Sequence, residues 1–206
     1  AAEDTRRTAK LLSHHNIHRP MVSLHAHNER REAPRLAARI ADGASMALVT
    51  DAGTPGISDP GEYMVKVARA QGIKVVPIPG PSSVATALSV SGLPAGEFVF
   101  LGFPPRSGRE RRDWFHRLSN DTRTVVFFEA PHRIGKTLAD ATGILVDRQI
   151  QIHRELTKLH EELVISPSNA AVHPLEERGE FVVIVAPRPD RTQTSDQDAH
   201  AIDVSI

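Results

Sequence analysis

Residues 49–61 read V-T-D-A-G-T-P-G-I-S-D-P-G. Ala47-Leu48-Val49 leads in as a short buried strand, and Tyr63–Ala68 resumes at helical spacing. The stretch is therefore a strand, a loop and a helix. In open α/β sheets, ligands bind beyond the carboxyl ends of strands, where such loops lie. Gly53, Gly56 and Gly61 admit backbone angles closed to other residues and let main chain approach a ligand. Pro55 and Pro60 stiffen the loop, so its amides are held in place before anything binds. Asp51 and Asp59 add carboxylates suited to a ribose hydroxyl or an ammonium. The same residues would also serve an ordinary βα turn with an Asp N-cap.

Outward from that loop the chain reads as α/β. Before it come a helix over Glu3–Leu12, a strand over Met21–His25 and a helix over Arg30–Ile40 ended by Asp42-Gly43. After it come a strand over Ile73–Ile78, the loop Pro79-Gly80-Pro81-Ser82-Ser83 and a helix over Val84–Val90, capped by Ser82 or Ser83. Gly92-Leu93-Pro94-Ala95-Gly96 is a breaker cluster. It predicts a boundary between an N-terminal α/β domain, residues 1–95, and a C-terminal α/β domain, residues 96–187. Residues 188–206 form a polar tail. In the second domain, Phe98–Phe103, Arg123–Phe128, Gln149–Glu155, Glu162–Ile165 and Phe181–Ala186 read as strands, and Arg109–Leu118 as a basic helix. Consecutive strands without helices imply a mixed sheet.

Composition excludes several classes. The 206 residues are 40% hydrophobic, enough for a core, and carry 25 basic against 25 acidic side chains. No global field draws nucleic acid, so any RNA contact is local. There is no cysteine, hence no disulfide and no thiolate metal site, as befits a reducing cytoplasm. No apolar run approaches the ~20 residues of a membrane span. No G-x-G-x-x-G, H-E-x-x-H or G-x-S-x-G occurs. Ala130–Thr137, A-P-H-R-I-G-K-T, approaches a phosphate-binding loop. Ala130 replaces its first glycine, and Pro131 removes an amide that a phosphate cradle needs. His25 and His27 share a strand face, but no carboxylate joins them, so no metal is expected. Three loops, Asp51–Gly61, Pro79–Ser83 and Glu129–Arg133, share one strand-loop-helix plan. On one edge they would line a cleft between the domains. Arg106, Arg109, Arg111, Arg112 and Arg117 make a cluster able to grip phosphates or to form a solvated helix face.

E-D-T-R-R-T (3–8), H-A-H-N-E (25–29), D-A-G-T-P-G-I-S-D-P-G (51–61), P-G-P-S-S (79–83), G-L-P (92–94), F-L-G-F-P-P (100–105), F-F-E-A-P-H-R (127–133), R-E-L-T-K-L-H-E-E (154–162) and G-E-F-V-V (179–183) stand in this order. Together they resemble the rRNA-methylating branch of the tetrapyrrole methylase fold family, over about nine tenths of the chain. The resemblance implies two α/β domains with S-adenosylmethionine in the cleft between them, a homodimer, and 2′-O-methylation of a cytidine in 16S rRNA of the small ribosomal subunit. It puts the cofactor on Asp51, Ala52, Gly53, Thr54 and Pro55, under Pro79, Gly80, Ser82 and Ser83. Phe128, Glu129 and Ala130 would form a wall, and Leu156 and Thr157 would flank the adenine. Asp4, Thr5, Arg6, His27 and Asn28 would face RNA, with Arg106, Arg109 and Arg112 as further phosphate contacts. Asp4, Glu129, Glu155 and Lys158 are the candidates to assist deprotonation of the hydroxyl, with Arg6 holding phosphate. Family members begin with an apolar strand and a T-P-I-G-N-L loop before E-D-T-R. This sequence opens at A-A-E-D-T-R, so the resemblance implies either a preceding segment in the full protein or a reduced member. A tetrapyrrole C-methyltransferase and a non-catalytic cofactor- or RNA-binding module are the competing functions.

Overall fold

A computed structural model describes residues 1–145, 148–167 and 175–189. The expected polar tail lies almost wholly outside these residues. The chain divides into two compact units, Ala1–Ser83 and a second that begins at Val84.

In the first unit, helices α1 (Thr5–His14), α2 (Glu29–Ala41) and α3 (Glu62–Ala70) form. α2 and α3 bury Ala33, Leu36 and Ala37 against Met64 and Ala68, with Leu24 beneath them. The small residues let the two helices approach closely, and Leu36 and Met64 fill what remains. The expected strands over residues 21–25 and 47–49 are reduced to isolated parallel bridges. Ala2 lies between Ser23 on one side and Val49 on the other. Ala2 N donates to Val22 O at 2.9 Å and Ala2 O accepts from Leu24 N at 2.8 Å. On the other side Val49 N donates to Ala1 O at 3.0 Å and Glu3 N to Val49 O at 3.1 Å. Three residues offer one pairing on each side, and a regular ladder needs repeats. The segment 73–78 is not a strand either: Val76 is 58% and Ile78 82% exposed. What survives is the direction. The segments entering at Ala2, Ser23 and Val49 run parallel, so their carboxyl ends emerge at one edge.

The second unit has a five-stranded sheet of order β1-β2-β5-β3-β4. Its strands are β1 (Phe98–Phe100), β2 (Thr124–Glu129), β3 (Gln149–Arg154), β4 (Glu162–Pro167) and β5 (Phe181–Val185). β1 and β2 are parallel, and the other pairs are antiparallel, so the sheet is mixed as expected. β2, T-V-V-F-F-E, is an apolar run because both faces are covered. On one face α5 (Gly108–Asn120) and α6 (Ile134–Thr142) bring Trp114, Phe115, Leu118, Ile134 and Leu138 onto Phe127 and Val183. On the other, α4 (Ser83–Ser91) sets Val84, Ala87 and Leu88 on Val126, Val182 and Ile184. That packing explains why the division falls before α4 rather than at the breaker cluster after it. α4 belongs with the second sheet, and Gln151 Nε2 fastens its end by donating to Ser91 O at 2.7 Å.

β3, Q-I-Q-I-H-R, alternates like a half-solvated strand, yet Gln151 and His153 are 2% and 1% exposed. Burial pushes the His153 pKa below its ordinary value, against a smaller upward pull from Glu161. An unfolded histidine protonates near pH ~6.5. Between that pH and the lower folded value, the unfolded chain binds more protons. The contribution of this group to stability is thus complete above about pH 6.5 and declines as pH falls. Replacing His153 with Phe is expected to remove this part of the pH dependence, read from urea midpoints at pH values about one unit either side of 6.5.

Candidate active site

The site is built on the carboxyl edge of the first unit. Asp51 leaves the Val49 segment and is clamped to the start of α1. Its amide donates to Glu3 Oε2 at 3.1 Å, and its Oδ1 accepts from Asp4 N at 3.3 Å. Arg7 Nη1 lies 3.4 Å from Oδ2. The loop then folds on itself: Ile57 N donates to Thr54 O and Gly56 N to Pro60 O, both at 3.2 Å. Thr54 Oγ1 donates to Pro81 O at 3.0 Å, joining this loop to the Pro79–Ser83 loop. Glu29, the last residue of H-A-H-N-E, closes the far end. Its Oε1 accepts from Gly61 N and Met64 N, each at 2.9 Å, and so caps α3 across the chain.

Two glycines have different duties here. At Gly61, φ is +139°, and a Cβ would lie 2.9 Å from Leu48 Cδ2 and 3.1 Å from Gly56 N. At Gly53, φ is +64°, and a Cβ would meet nothing within 4 Å. Gly61 is shut in by its own fold. Gly53 sits at an open tip with exposed Ala52 and Thr54 on either side. The loop is braced at its base and open at its apex.

Asp4 is the N-cap of α1. Its carboxylate accepts from Arg6 N at 2.8 Å and from the Arg6 guanidinium at 2.8 and 3.1 Å. The Arg6 side-chain bonds hold its pKa far below the usual carboxylate range. Such a carboxylate caps a helix; it is a poor proton acceptor. Asn28 is also engaged locally, its Oδ1 accepting from His25 N at 2.8 Å and its Nδ2 donating to Ser23 O at 3.1 Å. His27 is exposed, its ring 5.9 Å from that of His25. Among the described residues no group of three or more His, Asp or Glu could hold a metal.

In the second unit, Phe128 stacks edge to face with Phe100 and Phe103 at 4.8 and 5.5 Å. Phe128 and Leu156 border the same apolar cluster under α4. Glu129, expected to meet a ligand, instead has a fully buried side chain. Its oxygens accept from Ala130 N at 2.8 Å and Thr137 Oγ1 at 2.5 Å, and pair with Arg133 Nε at 3.2 Å. Arg111 joins the network, donating to Thr137 Oγ1 at 3.0 Å, Asp140 Oδ2 at 2.7 Å and Pro105 O at 3.0 Å. Arg111 is thus buried and paired, and it cannot grip phosphate with its neighbours. Arg106, Arg109 and Arg112 are exposed. Thr137 and Lys136, the end of the G-K-T run, are spent on Glu129 and Asp140 and are not arranged around a phosphate.

The R-E-L-T-K turn is strained. Glu155 and Thr157 have φ of +50° and +65°, rare for residues with side chains and enriched at functional sites. Lys158 Nζ ties the turn to Glu155 at 2.8 Å and Glu180 at 3.1 Å. Burial works against the Lys158 charge, but these two carboxylates outweigh it and raise its pKa. Glu155 is held below its ordinary value, chiefly by its bond to Lys158.

The sequence pattern of the tetrapyrrole (corrin/porphyrin) methylases matches residues 1–171. The chain belongs to that family. It is an S-adenosylmethionine-dependent methyltransferase. Curated relatives of this methylase include the ribosomal RNA small subunit methyltransferase I of Xylella fastidiosa strain Temecula1. It is 46% identical over 98% of this chain and 74% of the relative. The proteins of the same name in Vibrio cholerae and Escherichia coli O157:H7 are 44% and 40% identical, over 90% and 98% of this chain. The chain covers 66% and 72% of those two. Among solved structures, the methyltransferase CobJ matches with a TM-score of 0.61 at 16% identity, covering 89% of this chain and 86% of that one. Diphthine synthase matches with a TM-score of 0.61 at 15% identity, over 86% and 73%. At such identities the likeness is one of fold.

Sequence reasoning missed Glu3, Glu29, Arg133 and Thr137 in this methylase. Glu29 carries a signal of a kind, since it ends a quoted motif just ahead of α2. Nothing along the chain pairs it with an amide 32 positions away.

Proposed function

We propose that this methylase transfers a methyl group to small-subunit rRNA, and specifically to the ribose 2′-hydroxyl of a cytidine in 16S rRNA. The observation that carries the substrate is the likeness to the rRNA methyltransferases across 98% of the chain. The braced, open-tipped 51–61 loop supports cofactor binding. Gly53 leaves free the space that a side chain would take, and the loop amides are held before binding. We assign the cofactor to Asp51, Ala52, Gly53, Thr54 and Pro55, with Pro79, Gly80, Ser82 and Ser83 beside them. Phe128 and Ala130 would form a wall, and Leu156 and Thr157 would flank the adenine. When bound, S-adenosylmethionine supplies an electrophilic methyl on a sulfonium whose charge disperses as the methyl leaves.

The residues of the chain mainly have to align the reacting oxygen with that methyl. An effective base has a pKa near the working pH. Asp4 and Glu155 are held ionised well below it, Lys158 is held protonated, and Glu129 is enclosed. The groups best suited to help are therefore cations. Arg6 would hold phosphate and Lys158 would favour the developing oxyanion. Glu129 is a positioning residue that sets the Phe128–Ala130 turn. Thr5, His27 and Asn28 would border the RNA, with Arg106, Arg109 and Arg112 taking phosphates further out. The reading carries with it a cytoplasmic location and a homodimer. Exposed Leu163 and Ile165 on edge strand β4 offer apolar surface for a second copy. No helix among the described residues is long and apolar enough to cross a membrane.

The test is to incubate the protein with labelled S-adenosylmethionine and either unmodified small subunits or uroporphyrinogen, then map the label. Label on a 16S cytidine ribose is the expected result, and label on the tetrapyrrole would overturn it. Asp51→Ala is expected to weaken cofactor binding about tenfold, the loss of one to two kcal/mol of charge-assisted bonding. Calorimetry reads it directly, and an unchanged affinity would remove this loop from the pocket.

A further inference from the structure

Residues 5–28 contain no aspartate or glutamate in a chain whose charges balance. The same stretch carries Arg6, Arg7, Lys10 and Arg19 together with His14, His15 and His18. Elsewhere several arginines are neutralised nearby, Arg31 and Arg35 by Glu32, Arg109 by Asp113, Arg123 by Asp121, Arg154 by Glu162 and Glu176. Those without an ion pair among the described residues, such as Arg30, Arg69 and Arg112, stand within three residues of an acidic residue in the sequence or singly on their helices. Here Arg6 leans on Asp4 and Arg7 on Asp51, while Lys10 and Arg19 have no acidic partner among the described residues.

The geometry orders these side chains. Arg6, Lys10 and His14 recur at a spacing of four and lie on one face of α1. α1 ends in a left-handed turn at Asn16, φ +55°. Asn16 N donates to Ser13 O at 3.1 Å and Ile17 N to Leu12 O at 2.8 Å, the pattern that reverses a chain at a helix end. Residues 17–21 then return along α1 and leave a groove of about 490 Å³. Leu12, Ile17, Pro20 and Met21 give it apolar lining, and His18 and Arg19 line it too. Ile17 and Met21 are 45% and 36% exposed. The Arg19 cation beside apolar lining matches an unpaired nucleotide, whose base has an apolar face and whose phosphate is an anion. The near end of α1 is the Asp4 cap beside Asp51, so the track leaves the candidate active site and runs about 15 Å outward.

We propose that the outer face of α1 and the turn to Met21 form an RNA track: phosphates lie along Arg6, Lys10 and Arg19, and an unpaired base enters the groove. This rests on the rRNA reading above. The experiment measures binding of an unmodified 16S rRNA transcript to the full chain against salt concentration. Lys10→Ala combined with Arg19→Ala is expected to reduce the slope of log affinity on log salt by about 1.4, roughly 0.7 for each single-strand phosphate released. A fourfold rise in salt then costs the variant about sevenfold less binding than it costs the wild type. Removing the same charge on α3, Lys66→Ala with Arg69→Ala, is expected to leave the slope unchanged. Calorimetry with S-adenosylmethionine checks that the variant is folded. Arg19→Ala alone lies outside the helix and serves if the double variant is not. Ile17→Ala is expected to lower affinity several-fold at fixed salt with the slope intact.

An unchanged slope in a folded variant, with rRNA methylation intact in the wild type, overturns the track and leaves the proposed function standing. A reduced slope in a wild type that methylates no rRNA overturns the function and supports the track. Loss of binding to assembled subunits without loss on the naked transcript makes the face a protein contact and overturns the RNA assignment.

Discussion

Gly61→Ala is expected to destabilise the first unit by about 3 kcal/mol and to abolish measurable S-adenosylmethionine binding at ordinary concentrations. Two costs add. The backbone at φ +139° is one that an L side chain rarely adopts, and the new methyl would press on Leu48 Cδ2 at 2.9 Å and Gly56 N at 3.1 Å. Neither neighbour yields easily. Leu48 belongs to the α2–α3 core, and Gly56 N is bonded to Pro60 O. Relief would have to come from moving Gly61 N off Glu29, which uncaps α3 and releases the base of the loop. Gly53→Ala is the control. Its methyl meets nothing within 4 Å, so it should cost only the ~1 kcal/mol of a left-handed backbone. Urea midpoints that rank the two the other way would show that the loop is not braced at Gly61.

Glu129→Ala should cost the second unit about 3 kcal/mol or more, since it strands Arg133 and Thr137 in a buried network. Glu129→Gln keeps the acceptor for Ala130 N but faces Arg133 without charge, and should cost about half as much. Both variants should lose methylation only as far as they lose folded protein. A general base would behave otherwise: Glu129→Gln would be stable and inactive. Parallel denaturation and methylation measurements on the pair separate a residue that shapes the site from one that touches the proton.

Helices were legible in the sequence because periodicity and caps act locally. α2, expected over Arg30–Ile40, forms over Glu29–Ala41, and α5 forms where the basic helix was read. β2 was legible from its unbroken apolar run. What failed did so for reasons outside any local window. The segments around Ser23 and Val49 have strand sequences, but a strand is a pairing, and Ala2 gives each only one. Charge counting put Arg111 with the exposed arginines. Its helical neighbours Trp114, Phe115 and Leu118 fall at the spacing of a buried stripe that begins at 111, and the structure buries it over the Phe115 ring at 4.9 Å. That signal was available. The burial of Gln151 and His153 was not, because period two says which residues share a face, not whether α4 covers it. In the candidate site the 51–61 loop was legible from glycine and proline chemistry. The inward turn of Glu129 depends on Thr137 and Arg133, and a list of carboxylates cannot show it.

The chain contains one tryptophan and one tyrosine. Trp114 is enclosed in the second unit between Phe115 and Phe127, each 5.1 Å away, and its indole N–H finds no acceptor among the described residues. Tyr63 lies in the first turn of α3 in the first unit, with the Arg30 guanidinium 5.4 Å from its ring. Each unit thus carries its own natural chromophore. Indole emission should report melting of the sheet-bearing half alone, at a short wavelength while it stays dry, and phenol absorbance that of the loop-bearing half. Non-coincident curves from the two colours would show two separate melting events without any added dye or label.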